Sequence, residues 1–128
     1  MGGKRKMKIE KIAGEFSVCK VKDLSEVNFQ SEFCFIGKTD EELSLVCLTD
    51  QAPSNTLCRE DGWRAFRIQG VLDFSLIGIL SRITTLLAEN QIGVFALSTY
   101  QTDYILIKAQ HFPMAMAALS QAGYQILL

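Results

Sequence analysis

The run Gly70-Val71-Leu72-Asp73-Phe74-Ser75-Leu76-Ile77-Gly78-Ile79-Leu80 carries the side chains best suited to hold a ligand. Two short polar residues, Asp73 and Ser75, stand just before an apolar run with helical spacing. Either can cap a helix there, leaving the backbone N–H groups of Leu76, Ile77 and Gly78 partly free, and the helix dipole favours an anion at that end. Gly78 has no side chain to block a ligand, or equally a neighbouring strand, from coming close. Further along, Ser98-Thr99-Tyr100-Gln101-Thr102-Asp103 sets an aspartate at a turn, where it can accept an ammonium or simply build the turn with Thr102. A carboxylate at the first place and an ammonium at the second is the chemistry of a zwitterion. The pattern points to binding rather than catalysis.

Other chemistries find less support. His111 is the sole histidine, and Ser75, Ser81 and Ser98 have no base close by in sequence, so no nucleophilic triad is expected. Cys19, Cys34, Cys47 and Cys58 contain no C-x-x-C pair, which gives neither a zinc site nor a redox motif. Cys19, Cys34 and Cys47 lie in apolar runs and behave as small buried hydrophobes, expected to be reduced thiols of a cytoplasmic protein. No metal and no cofactor is expected. The net charge of −1, with both signs interspersed, argues against a nucleic-acid or anionic membrane partner, because both rely on clustered Lys and Arg. No apolar run approaches the about 20 residues of a membrane span. The start, Met-Gly-Gly-Lys-Arg-Lys, lacks the apolar core of a secretory signal, and Lys6 stands where a myristoylation pattern wants Ser or Thr, so it is expected to be a solvated terminus.

The elements that must position these residues follow from periodicity. Residues 7–59 have the short period of strands: Lys8 to Ile12, a turn at Ala13-Gly14, Phe16 to Val21, Phe33 to Gly37 and Leu43 to Leu48. Asp23 to Glu32 is polar and holds at most a short helical turn. Thr49 to Asn55, with Pro53, Ser54 and Asn55, reads as a connector. Residues 60–128 then alternate as strand Trp63 to Gln69, helix Leu76 to Glu89, strands Ile92 to Ser98 and Tyr104 to Lys108, helix Pro113 to Ala122 and strand Tyr124 to Leu127. Leu76, Ile79, Leu80, Ile83, Leu86 and Leu87 share one helix face. The second helix starts at Pro113 and stops at Gly123. This βαββαβ order folds as an antiparallel sheet with both helices on one face. Val94 and Ala96 oppose Phe95 and Leu97, and Leu106 opposes Ile105 and Ile107, so the sheet is apolar on both faces and needs a second cover.

That topology hosts unrelated functions. An RNA-recognition module wants exposed aromatics in a K/R-G-F-x-F-like run, and Asp103-Tyr104-Ile105-Leu106-Ile107-Lys108 has one tyrosine and no glycine. A small phosphatase of this topology wants an arginine in the loop after the first strand. Arg67-Ile68-Gln69-Gly70-Val71 leads into Asp73 and Phe74 instead.

Trp63-Arg64-Ala65-Phe66-Arg67-Ile68, Gly70 to Gly78, Phe95-Ala96-Leu97-Ser98-Thr99-Tyr100 and Thr102-Asp103-Tyr104 together resemble the ACT-domain family. More narrowly, the chain is similar to the small two-ACT proteins akin to the aspartate kinase regulatory domain and the CASTOR arginine sensors. Asp40-Glu41-Glu42-Leu43-Ser44-Leu45-Val46-Cys47 extends the likeness into the first half. The resemblance implies an α+β fold, a ferredoxin-like βαββαβ (ACT) unit preceded by a degenerate, mostly β ACT-like unit. It also implies a non-enzymatic regulatory or sensor protein whose partner is a free amino acid held at an ACT interface, in a homodimer or higher homo-oligomer built by joining sheets. The alternative is an ACT unit that has lost its ligand and serves as a dimerisation module. In the first reading the ligand carboxylate meets the turn of Asp73, Phe74, Ser75, Leu76, Ile77 and Gly78, and the ammonium meets Asp103. Phe95, Ala96, Leu97, Ser98 and Thr99 line the pocket from the neighbouring strand, mainly through backbone groups, and Ser44 closes it.

Overall fold

The computed structural model describes residues 7–69 and 78–127. In chain order the elements are β1 (Lys8–Val21), β2 (Cys34–Lys38), β3 (Leu43–Leu48), β4 (Thr56–Ile68), α1 (Ile79–Glu89), β5 (Phe95–Ser98), β6 (Asp103–Lys108), α2 (Phe112–Gln121) and β7 (Gln125–Leu127). Short 3-10 turns at Thr49–Gln51 and Ala109–His111 precede β4 and α2. Among the described residues no helix is long and apolar enough to cross a membrane. The chain divides into two compact units, Gly14–Trp63, and Met1–Ala13 with Arg64–Leu128.

In the second of these units the strands are ordered β7, β1, β4, β6, β5. Both helices pack on one face. Ile79, Leu80, Ile83, Leu86 and Leu87 of α1 and Phe112, Ala115, Met116 and Leu119 of α2 meet Ile9, Phe66, Ile68, Ile105 and Ile107 of the sheet. These apolar side chains recur at the three and four residue steps that put them on one side of each helix, and their burial is the main stabilising term for the unit. Leu106, on the opposite face of β6, is also fully buried, as are Ile105 and Ile107 on either side of it, so this strand is covered on both faces.

Two details differ from the expectation. The sheet is not antiparallel throughout: β1 runs parallel to β7, with Lys8, Ile9 and Glu10 opposite Gln125, Ile126 and Leu127. The Gln69 N–H donates to the Lys8 carbonyl at 2.8 Å and the Gln125 N–H to the Met7 carbonyl at 2.9 Å, so β1 has a partner on each side. Also, β5 is shorter than expected and its faces are unequal, with Phe95 and Leu97 half-buried and Ala96 and Ser98 exposed. Residues 90–92 serve the end of α1 instead, where Gln91 takes a φ of 61° and the Ile92 N–H bonds the Leu87 carbonyl at 2.9 Å.

The Gly14–Trp63 unit orders its strands β2, β3, β1, β4. Phe16 to Lys20 pair antiparallel with Leu48 to Ser44, and Cys34 to Lys38 pair antiparallel with Cys47 to Leu43. Cys19, Val21, Leu45 and Cys47 form a small core, against which Leu24, Val27 and Ala52 pack from the segments between strands. All of residues 14–63 are described, and none is in an α-helix. On the other side of the sheet the rings of Phe16 and Phe33 meet edge to face at 5.8 Å.

Here too the strands run further than expected. Ala13-Gly14 is not a turn: β1 passes through it, with Gly14 at φ +94° and a hypothetical Cβ only 3.2 Å from Leu48 Cδ2. Glycine is needed there both for its conformation and for the close approach. β4 starts at Thr56 rather than Trp63, and its residues 57–61 are exposed. Their charge hid the strand, because an exposed strand has no buried face to show alternation.

Candidate functional site

At the end of β4 the chain enters residues 70–77. Asp73, Phe74, Ser75, Leu76 and Ile77 therefore lie outside the described residues. Gly78 is described, and it occupies the position before the first residue of α1 with φ 81° and ψ 10°. Its carbonyl accepts the Arg82 N–H at 2.9 Å, the first bond of the helix. Among the described residues a Cβ at Gly78 would meet nothing within 4 Å, and its left-handed backbone favours glycine. The described part of α1 begins at Ile79, and the expected start at Leu76 lies outside the described residues. Gly78 itself holds the cap position, which Asp73 and Ser75 were expected to fill. Among the described residues no side chain bonds the start of α1, and its first turn has no acidic residue. Such an end favours an anion.

The β5–β6 hairpin brings several expected residues together. Ser98 and Asp103 are register partners, followed by Leu97 with Tyr104, Ala96 with Ile105 and Phe95 with Leu106. The Ser98 hydroxyl donates to Asp103 Oδ1 at 2.5 Å. In the turn, the Thr99 N–H donates to the Thr102 carbonyl at 2.9 Å, and so does the Thr99 hydroxyl, also at 2.9 Å. Thr102 is buried, at 7% exposure. Its hydroxyl donates to the Ile68 carbonyl at 2.7 Å, which fastens the turn to the last residue of β4. Alternation along the strands puts Ala96, Ser98 and Asp103 on the side of Ile105 and Ile107, the helix-covered side, and Phe95 and Leu97 on the other. The expected lining is thus divided between two faces of β5. Ser44 belongs to the Gly14–Trp63 unit, where its hydroxyl donates to Glu42 at 3.1 Å.

A polar cluster not anticipated from the sequence lies on the face away from the helices. Arg67 reaches Glu10 through Nε at 3.1 Å and a terminal nitrogen at 3.3 Å. Its other terminal nitrogen donates to the Tyr104 hydroxyl at 3.1 Å. The hydrogen bonds to Glu10, then to Tyr104, raise the Arg67 pKa further above its ordinary value and keep it charged. The alternation of Arg67 with Phe66 and Ile68 would have placed it on that face. Its partner could not be read, because nothing local in the sequence brings Glu10 beside β4. His111 flanks α2 at its cap position. All four cysteines are free thiols. Among the described residues, no three His, Cys, Asp or Glu side chains are placed to hold a metal ion.

A sheet backed on one face by two helices, with its β5–β6 turn fastened to the end of β4, recurs in known proteins. Residues 59–121 match the ACT domain family. Residues 14–55 match a separate family of N-terminal domains. The fold is similar to a structural-genomics protein from Agobacterium tumefaciens at a TM-score of 0.85, with 28% identity over 98% of this chain and 95% of that one. A Vibrio cholerae protein of unknown function, described as a possible transport protein, is similar at a TM-score of 0.70 with 21% identity, over 90% of this chain and 88% of that one. The ligand-free regulatory subunit of aspartate kinase from Thermus thermophilus shares the fold at a TM-score of 0.67 with 11% identity, over 93% of this chain and 99% of that one. No curated protein matches the chain.

Proposed function

We propose that the chain is a non-enzymatic regulatory protein that binds a free amino acid at the end of the ACT unit where α1 begins. The observation that carries this reading is the bond from Thr102 to the Ile68 carbonyl. It holds the turn bearing Asp103 against the end of β4, the same end from which the chain leads to Gly78 and the start of α1. The likeness to aspartate kinase regulatory subunits supports the reading. The ligand carboxylate binds at the start of α1 and its ammonium at Asp103. A charge-assisted hydrogen bond contributes about 1.5–3 kcal/mol and a helix end about 0.3–2, roughly 2–5 together. Micromolar affinity requires about 8 kcal/mol. The rest comes from burying the ligand side chain, which therefore sets selectivity.

Thermal-shift measurement with each of the twenty amino acids, followed by calorimetry on those that stabilise, tests the reading. One or a few should raise Tm, and Asp103→Ala should abolish binding while leaving the circular dichroism spectrum unchanged. No stabilisation at millimolar concentration counts against the proposal, and unchanged affinity in Asp103→Ala removes Asp103 from the site.

One observation favours a second reading, in which the ACT unit only dimerises. Asp103 already accepts the Ser98 hydroxyl at 2.5 Å within its own hairpin, a sufficient structural role. A protein of this kind forms the same oligomer with and without amino acids, which sedimentation in both conditions would reveal.

A further inference from the structure

We propose that Cys34 and Cys47 form a reversible dithiol site that reacts with low-molecular-weight disulfides such as glutathione disulfide. The two residues are register partners on adjacent strands, Cys34 on β2 and Cys47 on β3. Residues directly opposite in an antiparallel pair have their Cα atoms about 4.5–5.5 Å apart and their side chains on one face. A disulfide needs about 4.4–6.8 Å. Cys19 also lies close, but the register sets Cys47 opposite Ser17 and Cys19 opposite Leu45. Cys19 and Cys47 are therefore diagonal neighbours whose thiols hydrogen-bond, but the Cα spacing of such a pair, about 7–8 Å, exceeds the span of about 4.4–6.8 Å that a disulfide takes. Geometry selects Cys34 over Cys19 as the partner.

Access selects the order of events. Cys47 is 3% exposed and Cys19 4%, whereas Cys34 is half-buried. Cys34, as thiolate, attacks one sulfur of glutathione disulfide and expels one glutathione thiolate, leaving a mixed disulfide. Cys47 then loses its proton to solvent and attacks the Cys34 sulfur, expelling the second glutathione. Two protein thiols are oxidised to one disulfide as glutathione disulfide is reduced to two glutathiones. Burial pushes the Cys34 thiol up. Burial, followed by the neighbouring Cys19 and Cys34, pushes Cys47 up to about 12, with Arg59 opposing. The exchange is accordingly slow near neutrality and quickens with rising pH. Its product ties β2, the terminal strand of its unit, covalently to β3.

The test uses the full chain as Cys58→Ser, so that the exposed thiol on β4 does not react. Reduced protein is equilibrated in glutathione buffers of increasing oxidised fraction, alkylated and digested with trypsin. Cleavage after Lys38 puts Cys34 and Cys47 in separate peptides. The expected product is one intramolecular bridge joining those two peptides, reversed by dithiothreitol, with a raised Tm in the oxidised protein. Cys19→Ser should leave it, and Cys34→Ser should remove it. Glutathione retained on Cys34 without a bridge, a bridge between Cys19 and Cys47, or thiols that stay fully alkylatable in oxidised glutathione alone would each overturn the proposal. The mapping with Cys34 present decides the matter even if Cys34→Ser folds poorly.

Discussion

Thr102 shows how one side chain can fasten a hairpin turn to the end of a neighbouring strand. Its hydroxyl is buried and bonded to the Ile68 carbonyl, so replacing it with an isosteric apolar group leaves that carbonyl without its partner. Thr102→Val should cost about 1–3 kcal/mol in urea unfolding, within the range for orphaning a buried acceptor. If Asp103 binds the ligand, the same variant should weaken amino-acid affinity beyond its effect on stability. A Thr102→Val protein as stable as the parent would mean the bond adds nothing to the turn. Thr102 was visible in the sequence only as a turn residue. The carbonyl that it holds is remote in sequence and left no local trace, as was also the case for Arg67 and Glu10.

Strands and helices were legible in proportion to how one-sided their burial is. Both helices were placed from local signals, α1 from the recurrence of Ile83 and Leu87 and α2 from Pro113 and Gly123, and β3 was bounded correctly at Leu43 and Leu48. The failures share one cause. The exposed residues 57–61 of β4 look like a loop, and a glycine within β1 looks like a turn, because polar residues and glycine mark chain reversals more often than strand interiors. Gly14→Ala distinguishes a strand position from a turn. It adds a Cβ 3.2 Å from Leu48 Cδ2 and forces alanine to φ +94°, so it should destabilise by about 1–3 kcal/mol, measured by denaturant unfolding. A tolerant turn would show little change. For the site, the placement of Gly78 at the start of α1 and of Asp103 in the β5–β6 hairpin was legible. Asp73 and Ser75, the expected caps, lie outside the described residues.

At the scale of the molecule, the ACT match at residues 59–121 omits two strands of the sheet it belongs to, the first residues of β1 and all of β7. Ile9, from outside that match, is fully buried in the core beneath the two helices. A fragment of residues 59–121 should therefore fail to give dispersed amide signals in NMR, although the whole chain gives them. Ile9→Ala in the whole chain should cost about 2–5 kcal/mol, as large-to-small core substitutions do. A folded 59–121 fragment would show that β1 and β7 are accessories. The parallel pairing of Lys8 with Gln125 also dictates when folding can finish. β1 is made before β4 and β7 after it, so the sheet of this unit closes only after synthesis has passed residue 127. Until then, the edge of β1 over Lys8 to Glu10 offers unpaired backbone groups to any strand nearby, and the nascent chain has its greatest need of a chaperone during that interval.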